Sequence, residues 1–254
     1  MSAMGRLARA SLVLVLAASG ACATDYEPQV GQAGKDVVWV PTPQALVDTM
    51  LDMAGVTPAD TVIDLGSGDG RTVITAAKRG ARAIGIEYNR QMVDHARRAA
   101  EREGVSGRAQ FVHGDVFETN FSHATVLTLF LLPQLNLKLR PQILAMKPGT
   151  RVVSNSFTMG DWQPDDSTEG RDIPGCDGWC TALMWIVPAK VEGTWQTPHG
   201  EVLLRQEYQK LSGVVSTDGR LVPLEGQVRG EEISFTAGKR EYRGRLRDGK
   251  LELR

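Results

Sequence analysis

The chain has 254 residues, 42% of them hydrophobic and 23% charged, with a formal net charge of −1. This length admits one large domain or a medium one with a small one, and the composition is that of an ordinary globular protein. So balanced a charge gives no broad positive field, which argues against a nucleic-acid partner. At the N-terminus, Arg6 and Arg9 precede the apolar run Ala10 to Ala18, and Ala21-Cys22-Ala23 has the A-x-A form of a cleavage site. Residues 1–23 therefore read as a secretory signal peptide, with export to the periplasm or cell envelope as the consequence. The uncharged stretch from Ala10 to Ala23 is 14 residues, short of the roughly 20 a membrane-spanning helix needs. A second reading makes Cys22 a lipidated N-terminus that associates with a membrane, although Ser19-Gly20-Ala21 lacks the Leu that usually precedes such a Cys. Residues 24–36 read as a linker.

The next segment, Val40-Pro41-Thr42-Pro43, predicts a helix start with Thr42 as N-cap; Leu46, Val47, Met50 and Leu51 form its apolar face and Gly55 its stop. Val62 and Ile63 then form a short strand with Asp64 at its carboxyl end. The turn Gly66-Ser67-Gly68-Asp69-Gly70 leads into a helix from Arg71 to Arg79. A strand that passes through a Gly-rich turn into a helix is how open α/β sheets hold nucleotide-like ligands. The glycines at 66, 68 and 70 do not meet the dinucleotide spacing, and the Lys-Ser/Thr of a phosphate loop is missing. An acid just before the turn would repel a pyrophosphate but suits a ligand carrying an ammonium group.

Further along, Ala81 to Ile86 predicts a strand ended by Glu87, which lies 23 residues after Asp64. An acid there suits the two hydroxyls of a ribose. Asn89 caps a helix through Glu103, and the strand Ala109 to His113 leads to a third acid, Asp115. Singly, each acid reads equally well as a cap or a turn residue; three on successive strand ends point to a ligand site. Ala124 to Phe130 is a buried strand, and Leu131 to Met146 is helical but interrupted by Pro133 and Pro141. Arg151 to Phe157 and Ala182 to Val187 are further strands. The alternation predicts a doubly wound, mostly parallel α/β sheet over residues 37–189. Residues 190–254 alternate polar and apolar positions between turns such as Asp218-Gly219 and Asp248-Gly249, and predict a small antiparallel β module of four to six strands.

Cys176 and Cys180 stand in Gly-Cys-Asp-Gly-Trp-Cys. They read as a local disulfide in an exported chain, as free thiols, or as half of a metal site; the scattered histidines argue against the last, so no metal is expected.

The D-x-G-x-G-x-G run from Asp64 to Gly70 resembles motif I of the class I S-adenosylmethionine-dependent methyltransferases. Met146-Lys147-Pro148-Gly149-Thr150-Arg151-Val152-Val153 resembles the turn before their fifth strand. Val40-Pro41-Thr42-Pro43, the Gly-Asp-Gly-Arg form of motif I, Val126 to Pro133 and Gly160-Asp161-Trp162 are similar to one subfamily. That subfamily includes the mitochondrial lysine methyltransferases of the ATP synthase c-subunit and the adenine nucleotide translocator. The resemblance implies a seven-stranded Rossmann-like sheet and S-adenosyl-L-methionine as cofactor. It implies contacts to that cofactor from Asp64, Gly66, Ser67, Gly68, Glu87, Tyr88, Asp115 and Val116, and transfer of a methyl group to a protein lysine. The Thr128 to Pro133 segment lacks the polar Pro-Pro-aromatic clamp used for planar amides, and its apolar wall suits an aliphatic amine. A small-molecule acceptor and a non-catalytic envelope binding protein are the alternatives. Asn155, Asp161 and Trp162 are the substrate-pocket candidates, no catalytic base is named, and the chain is expected to be a monomer.

Overall fold

A computed structural model describes residues 26–170, 173, 176, 178–217 and 219–254. The leader and Cys22 lie outside the described residues, as does Asp218 of one expected turn. Among the described residues the chain forms two seven-stranded sheets.

The first sheet follows the alternation read from the sequence. Its strands are β1 (Thr61–Leu65), β2 (Arg82–Glu87), β3 (Ala109–His113), β4 (Val126–Leu129), β5 (Arg151–Asn155), β6 (Asp166–Thr168) and β7 (Ala182–Ile186). Their order is β3-β2-β1-β4-β5-β7-β6. β1 to β5 run parallel; β7 inserts antiparallel beside β5 and carries β6 on its outer edge. The helices are α1 (Gln44–Met53), α2 (Arg71–Lys78), α3 (Arg90–Arg102) and α4 (Pro133–Leu144).

Strand periodicity divides the core between the two faces. Val62, Val153, Ala182 and Met184 pack with α1, α2 and α3. Their neighbours Ile63, Val152, Leu183 and Trp185 pack on the other face with Leu139 and Ile143 of α4. Because both faces are covered, these strands read as continuous apolar runs. Asn89 caps α3 as expected, its Oδ1 accepting from the N–H groups of Gln91 (2.9 Å) and Met92 (3.4 Å).

Local corrections have simple causes. Pro43, not Thr42, is the N-cap residue of α1. Pro133 opens α4 instead of interrupting it, because the first turn needs no donor from that residue; Pro141 lies inside the helix. β5 stops at Asn155 because Ser156 adopts a left-handed φ of 58°. The edge strand β6, Asp-Ser-Thr, has no apolar residue to announce it.

The C-terminal module is larger than expected: a seven-stranded antiparallel meander, not four to six strands. It comprises β8 (Gly193–Thr197), β9 (Gly200–Glu207), β10 (Lys210–Thr217), β11 (Arg220–Arg229), β12 (Glu232–Ala237), β13 (Arg240–Arg247) and β14 (Lys250–Leu253). The meander curls until β14 lies alongside β8. Alternate side chains, among them Val202, Leu204, Leu224, Val228, Ile233 and Phe235, fill its interior. Ala189, the last residue assigned to the first domain, belongs to this core together with Val191.

Candidate active site

The carboxyl ends of the parallel strands open into one cavity of ≈ 210 Å³. All eight residues expected at the cofactor line it: Asp64, Gly66, Ser67, Gly68, Glu87, Tyr88, Asp115 and Val116. The sheet order explains the convergence. β1, β2 and β3 are adjacent and parallel, so their carboxyl ends bring three acids distant in sequence to one edge.

Each acid is held differently. Asp64 is buried, and Thr128 on the neighbouring β4 donates to its Oδ1 at 2.6 Å. Burial pushes the Asp64 carboxyl up to about 7; the Thr128 hydrogen bond opposes this, and the charges of Glu87 and Asp69 add to it. Glu87 is fixed by two backbone donors, Gly68 N–H on Oε2 (2.9 Å) and Asn89 N–H on Oε1 (2.8 Å). Asp115 accepts from Phe117 N–H at 2.9 Å and pairs with Lys35. The Lys35 hydrogen bond, then that of Phe117, holds its carboxyl below the usual range.

The turn between β1 and α2 keeps its backbone bare. Gly66 and Gly68 have φ of 82° and 53°, and a Cβ on Gly68 would collide with the Trp39 indole. Asp69 anchors Arg71 through both carboxylate oxygens, and the Arg71 Nη1 donates to Thr42 O at 2.9 Å. The Val40 to Pro43 segment is thereby tied to the Gly-rich turn.

Sequence reasoning missed the cover of this cavity. Residues 31–39, most of them assigned to a linker, form a small hairpin. Gly31 N–H donates to Trp39 O (2.8 Å), Trp39 N–H donates to Gln32 O (2.9 Å), and Ala33 bridges Val38. The hairpin sets Trp39 against Gly68 and Lys35 over the Tyr88 ring, 5.0 Å from its centroid. A tryptophan immediately before Val40-Pro41-Thr42-Pro43 was the available signal.

The substrate-pocket candidates lie elsewhere. Asn155 is buried behind the cavity wall, its Nδ2 3.4 Å from Thr42 Oγ1 and its Oδ1 accepting from Ser156 Oγ at 2.8 Å. Trp162 is fully buried, stacked on Tyr208 of the β9–β10 turn at 6.1 Å and next to Trp185. Asp161 accepts from Tyr208 Oη at 3.0 Å and pairs with Arg140. Asp161 and Trp162 therefore join the sheet domain to the β module, because the large indole finds its apolar surroundings under the sheet and not in the cavity. Beyond the three acids the cavity is lined instead by Phe130, Leu131, Leu132, Phe157 and Trp179. Cys176 and Cys180 form a disulfide with Cα atoms 5.8 Å apart, which resolves the three readings of the pair.

The protein groups fit S-adenosylmethionine. A buried carboxylate suits its ammonium group, a pinned carboxylate suits a ribose diol, and the bare Gly-rich turn admits close approach. Ser67 Oγ, buried and without a protein partner, is a further polar atom at the same turn. A 3-2-1-4-5-7-6 sheet with this site at its carboxyl edge defines an S-adenosylmethionine-dependent methyltransferase. Residues 64–166 match the model of the ANTKMT methyltransferase domain. The chain is 45% identical over 139 residues to a protein-lysine N-methyltransferase of Saccharolobus islandicus, covering 54% of this chain and 86% of that one. It belongs to this methyltransferase family. It is also 40% identical over 113 residues to the human lysine N-methyltransferase named for the ATP synthase c-subunit; the match covers 44% of this chain and 48% of that protein. Among solved structures it is similar to an RNA methyltransferase from Salinibacter ruber in complex with S-adenosyl-L-homocysteine. That match has 44% identity and a TM-score of 0.56, over 60% of this chain and 96% of that one.

Proposed function

We propose that this methyltransferase modifies the side-chain amine of a protein lysine. The observation that carries the reading is the acceptor wall. Phe130, Leu131, Leu132 and Phe157 line the cavity beyond the three acids, where an aliphatic chain is desolvated and an amine is pushed toward its neutral, nucleophilic form. The one polar side chain that β4 offers at its carboxyl end, Thr128, is committed to Asp64. S-adenosylmethionine, when bound, supplies the electrophilic methyl group. The chain's own contribution is alignment and exclusion of water, which in favourable cases are worth up to about 7–11 kcal/mol. The Saccharolobus and human relatives, both named lysine methyltransferases, support the reading. The Salinibacter protein, named for RNA, makes RNA the alternative outcome.

The test is transfer of isotope-labelled methyl to an envelope extract of the parent organism, with protease and ribonuclease arms. Label that is lost with protease and maps to methylated lysines supports the reading; label lost with ribonuclease, or recovered in a small molecule, replaces it.

We further propose that the enzyme works in the cell envelope after removal of residues 1–23. The Cys176–Cys180 disulfide supports this, because paired cysteines persist in oxidising compartments. Mass spectrometry of the native protein should find an N-terminus near Cys22 or Thr24. An intact leader in the cytosolic fraction overturns it.

A further inference from the structure

Sheet order divides the cavity in two. Over β1, β2 and β3 it is lined by the three acids; over β4, β5 and the loop before β7 it is lined by three aromatic rings. Phe130 and Phe157 are stacked, with centroids 5.8 Å apart and planes at 18°. Trp179 meets both at 6.4 Å, edge-on to Phe130 and tilted to Phe157. The rings pack on one another, so they present a continuous aromatic wall, not an apolar slot.

Each ring is set by a separate device. Phe130 directly follows β4. Phe157 follows Ser156, a non-glycine residue held at a left-handed φ of 58°. Ser156 N–H donates to Thr181 O at 2.7 Å, and the Phe157 carbonyl accepts from Ser154 Oγ (2.8 Å) and Asn136 Nδ2 (3.2 Å). Strain of this kind persists where the surroundings over-determine it, and it concentrates at ligand sites. Trp179 sits inside the disulfide-closed loop and is 58% exposed at the cavity. With Phe130 and Phe157 it makes a contiguous apolar patch at the cavity, and such patches mark ligand grooves.

We propose that Phe130, Phe157 and Trp179 form a binding wall for alkylammonium groups, which receives the acceptor as an ammonium on arrival, before its proton passes to solvent and the neutral amine reacts, and which holds the methylated, cationic forms. The inference rests on the reading that the acceptor is an amine. Aromatic faces attract ammonium groups through the ring quadrupole, and the attraction strengthens when the cation is partly desolvated, as methylation makes it. Among the described residues of this half of the cavity, the three rings are the groups suited to a cation. The Cys176–Cys180 disulfide then has a positioning role, keeping Trp179 at the mouth.

The experiment compares two isosteric probes on the full chain with S-adenosylhomocysteine present: choline, and its neutral counterpart 3,3-dimethylbutan-1-ol. Calorimetric titration should show choline bound roughly fivefold or more tightly. Trp179→Ala, Phe157→Leu and the double variant Cys176→Ser/Cys180→Ser should each erase the preference, with S-adenosylhomocysteine affinity retained as proof of folding. Equal or tighter binding of the neutral alcohol overturns the proposal, because it leaves only an apolar surface. A second arm measures KM with unmodified and dimethylated lysine peptides. Choline preference without peptide methylation keeps the wall and removes the protein-lysine reading. Peptide methylation with a KM unmoved by Trp179→Ala keeps the lysine reading and removes the wall.

Discussion

Asp64 illustrates how one residue carries both function and cost. Its carboxyl is pushed up to about 7 by burial, against about 3.9 in an unfolded chain. Between those values the folded state holds a proton that the unfolded state releases, so stability of the cofactor-free protein falls as pH rises from about 4 to about 7 and then levels off. Asp64→Asn should abolish detectable cofactor binding. It should also stabilise the cofactor-free protein at pH 8 by on the order of 2–4 kcal/mol, with little effect near pH 4. Urea denaturation at the two pH values measures this. A cationic ligand group needs the anion, so wild-type affinity for the cofactor should weaken by roughly tenfold per pH unit below 7. A flat calorimetric profile from pH 5 to 8 would show that Asp64 is not the ammonium partner. Glu87 makes a cleaner deletion, since its two backbone donors, Gly68 and Asn89, can turn to water. Glu87→Ala should cost about 1.5–3 kcal/mol of cofactor affinity, the range for hydrogen bonds to a charged group.

At the level of elements, the hairpin of residues 31–39 and the segment after β5 border the cavity. Trp39 lies against Gly68 and Lys35 ties up Asp115, so two expected cofactor contacts are covered by one strap. A ligand is expected to displace it on entry, as with other active-site lids. Trp39→Ala should therefore speed both association and dissociation of S-adenosylhomocysteine several-fold in stopped-flow titrations. A static wall predicts unchanged association. Ser156 shapes the other border. A β-branched residue tolerates positive φ poorly, so Ser156→Val should destabilise the fold by about 1–3 kcal/mol and move Phe157 from its stack on Phe130. Ser156→Gly, which relaxes the backbone, should cost less; the order of the two in thermal melts checks the claim.

Across the whole molecule, the β module is docked as well as connected. Its β9–β10 turn places Tyr208 on Trp162, with the hydroxyl on Asp161 and the Arg140 guanidinium over the ring, and Gln209 Nε2 donates to Gln163 O at 2.7 Å. Ala189 N–H donates to Gly230 O at 2.7 Å, which closes the joint. Among the described residues, no group lining the cavity comes from beyond Trp179. Truncation after residue 189 should thus leave S-adenosylhomocysteine binding within a few-fold of the full chain. It should lower the melting temperature, because buried Trp162 loses its cover. Calorimetry and thermal melts separate the two effects. If binding and folding are lost together, the module is part of one cooperative unit.

The strands and helices of the methyltransferase sheet, the edge strand β6 apart, were legible in the chain alone, and the eight positions expected at the cofactor do line one cavity. Strand-end acids, Gly-rich turns and apolar periods are local signals, since each records a conformation or a burial that neighbouring residues impose on one another. Local sequence also announced the antiparallel alternation of residues 190–254, though not the number of strands, because short strands such as β14 carry too few apolar residues to count. Tertiary structure decided what local pattern has no means to encode. It set which of two apolar surroundings received the Trp162 indole, and it folded residues 31–39 back over the Gly-rich turn. It also gathered Phe130, Phe157 and Trp179, up to 49 positions apart, into one wall. Those outcomes depend on side chains far apart in sequence competing for the same space, and packing is settled only when the whole sheet has closed.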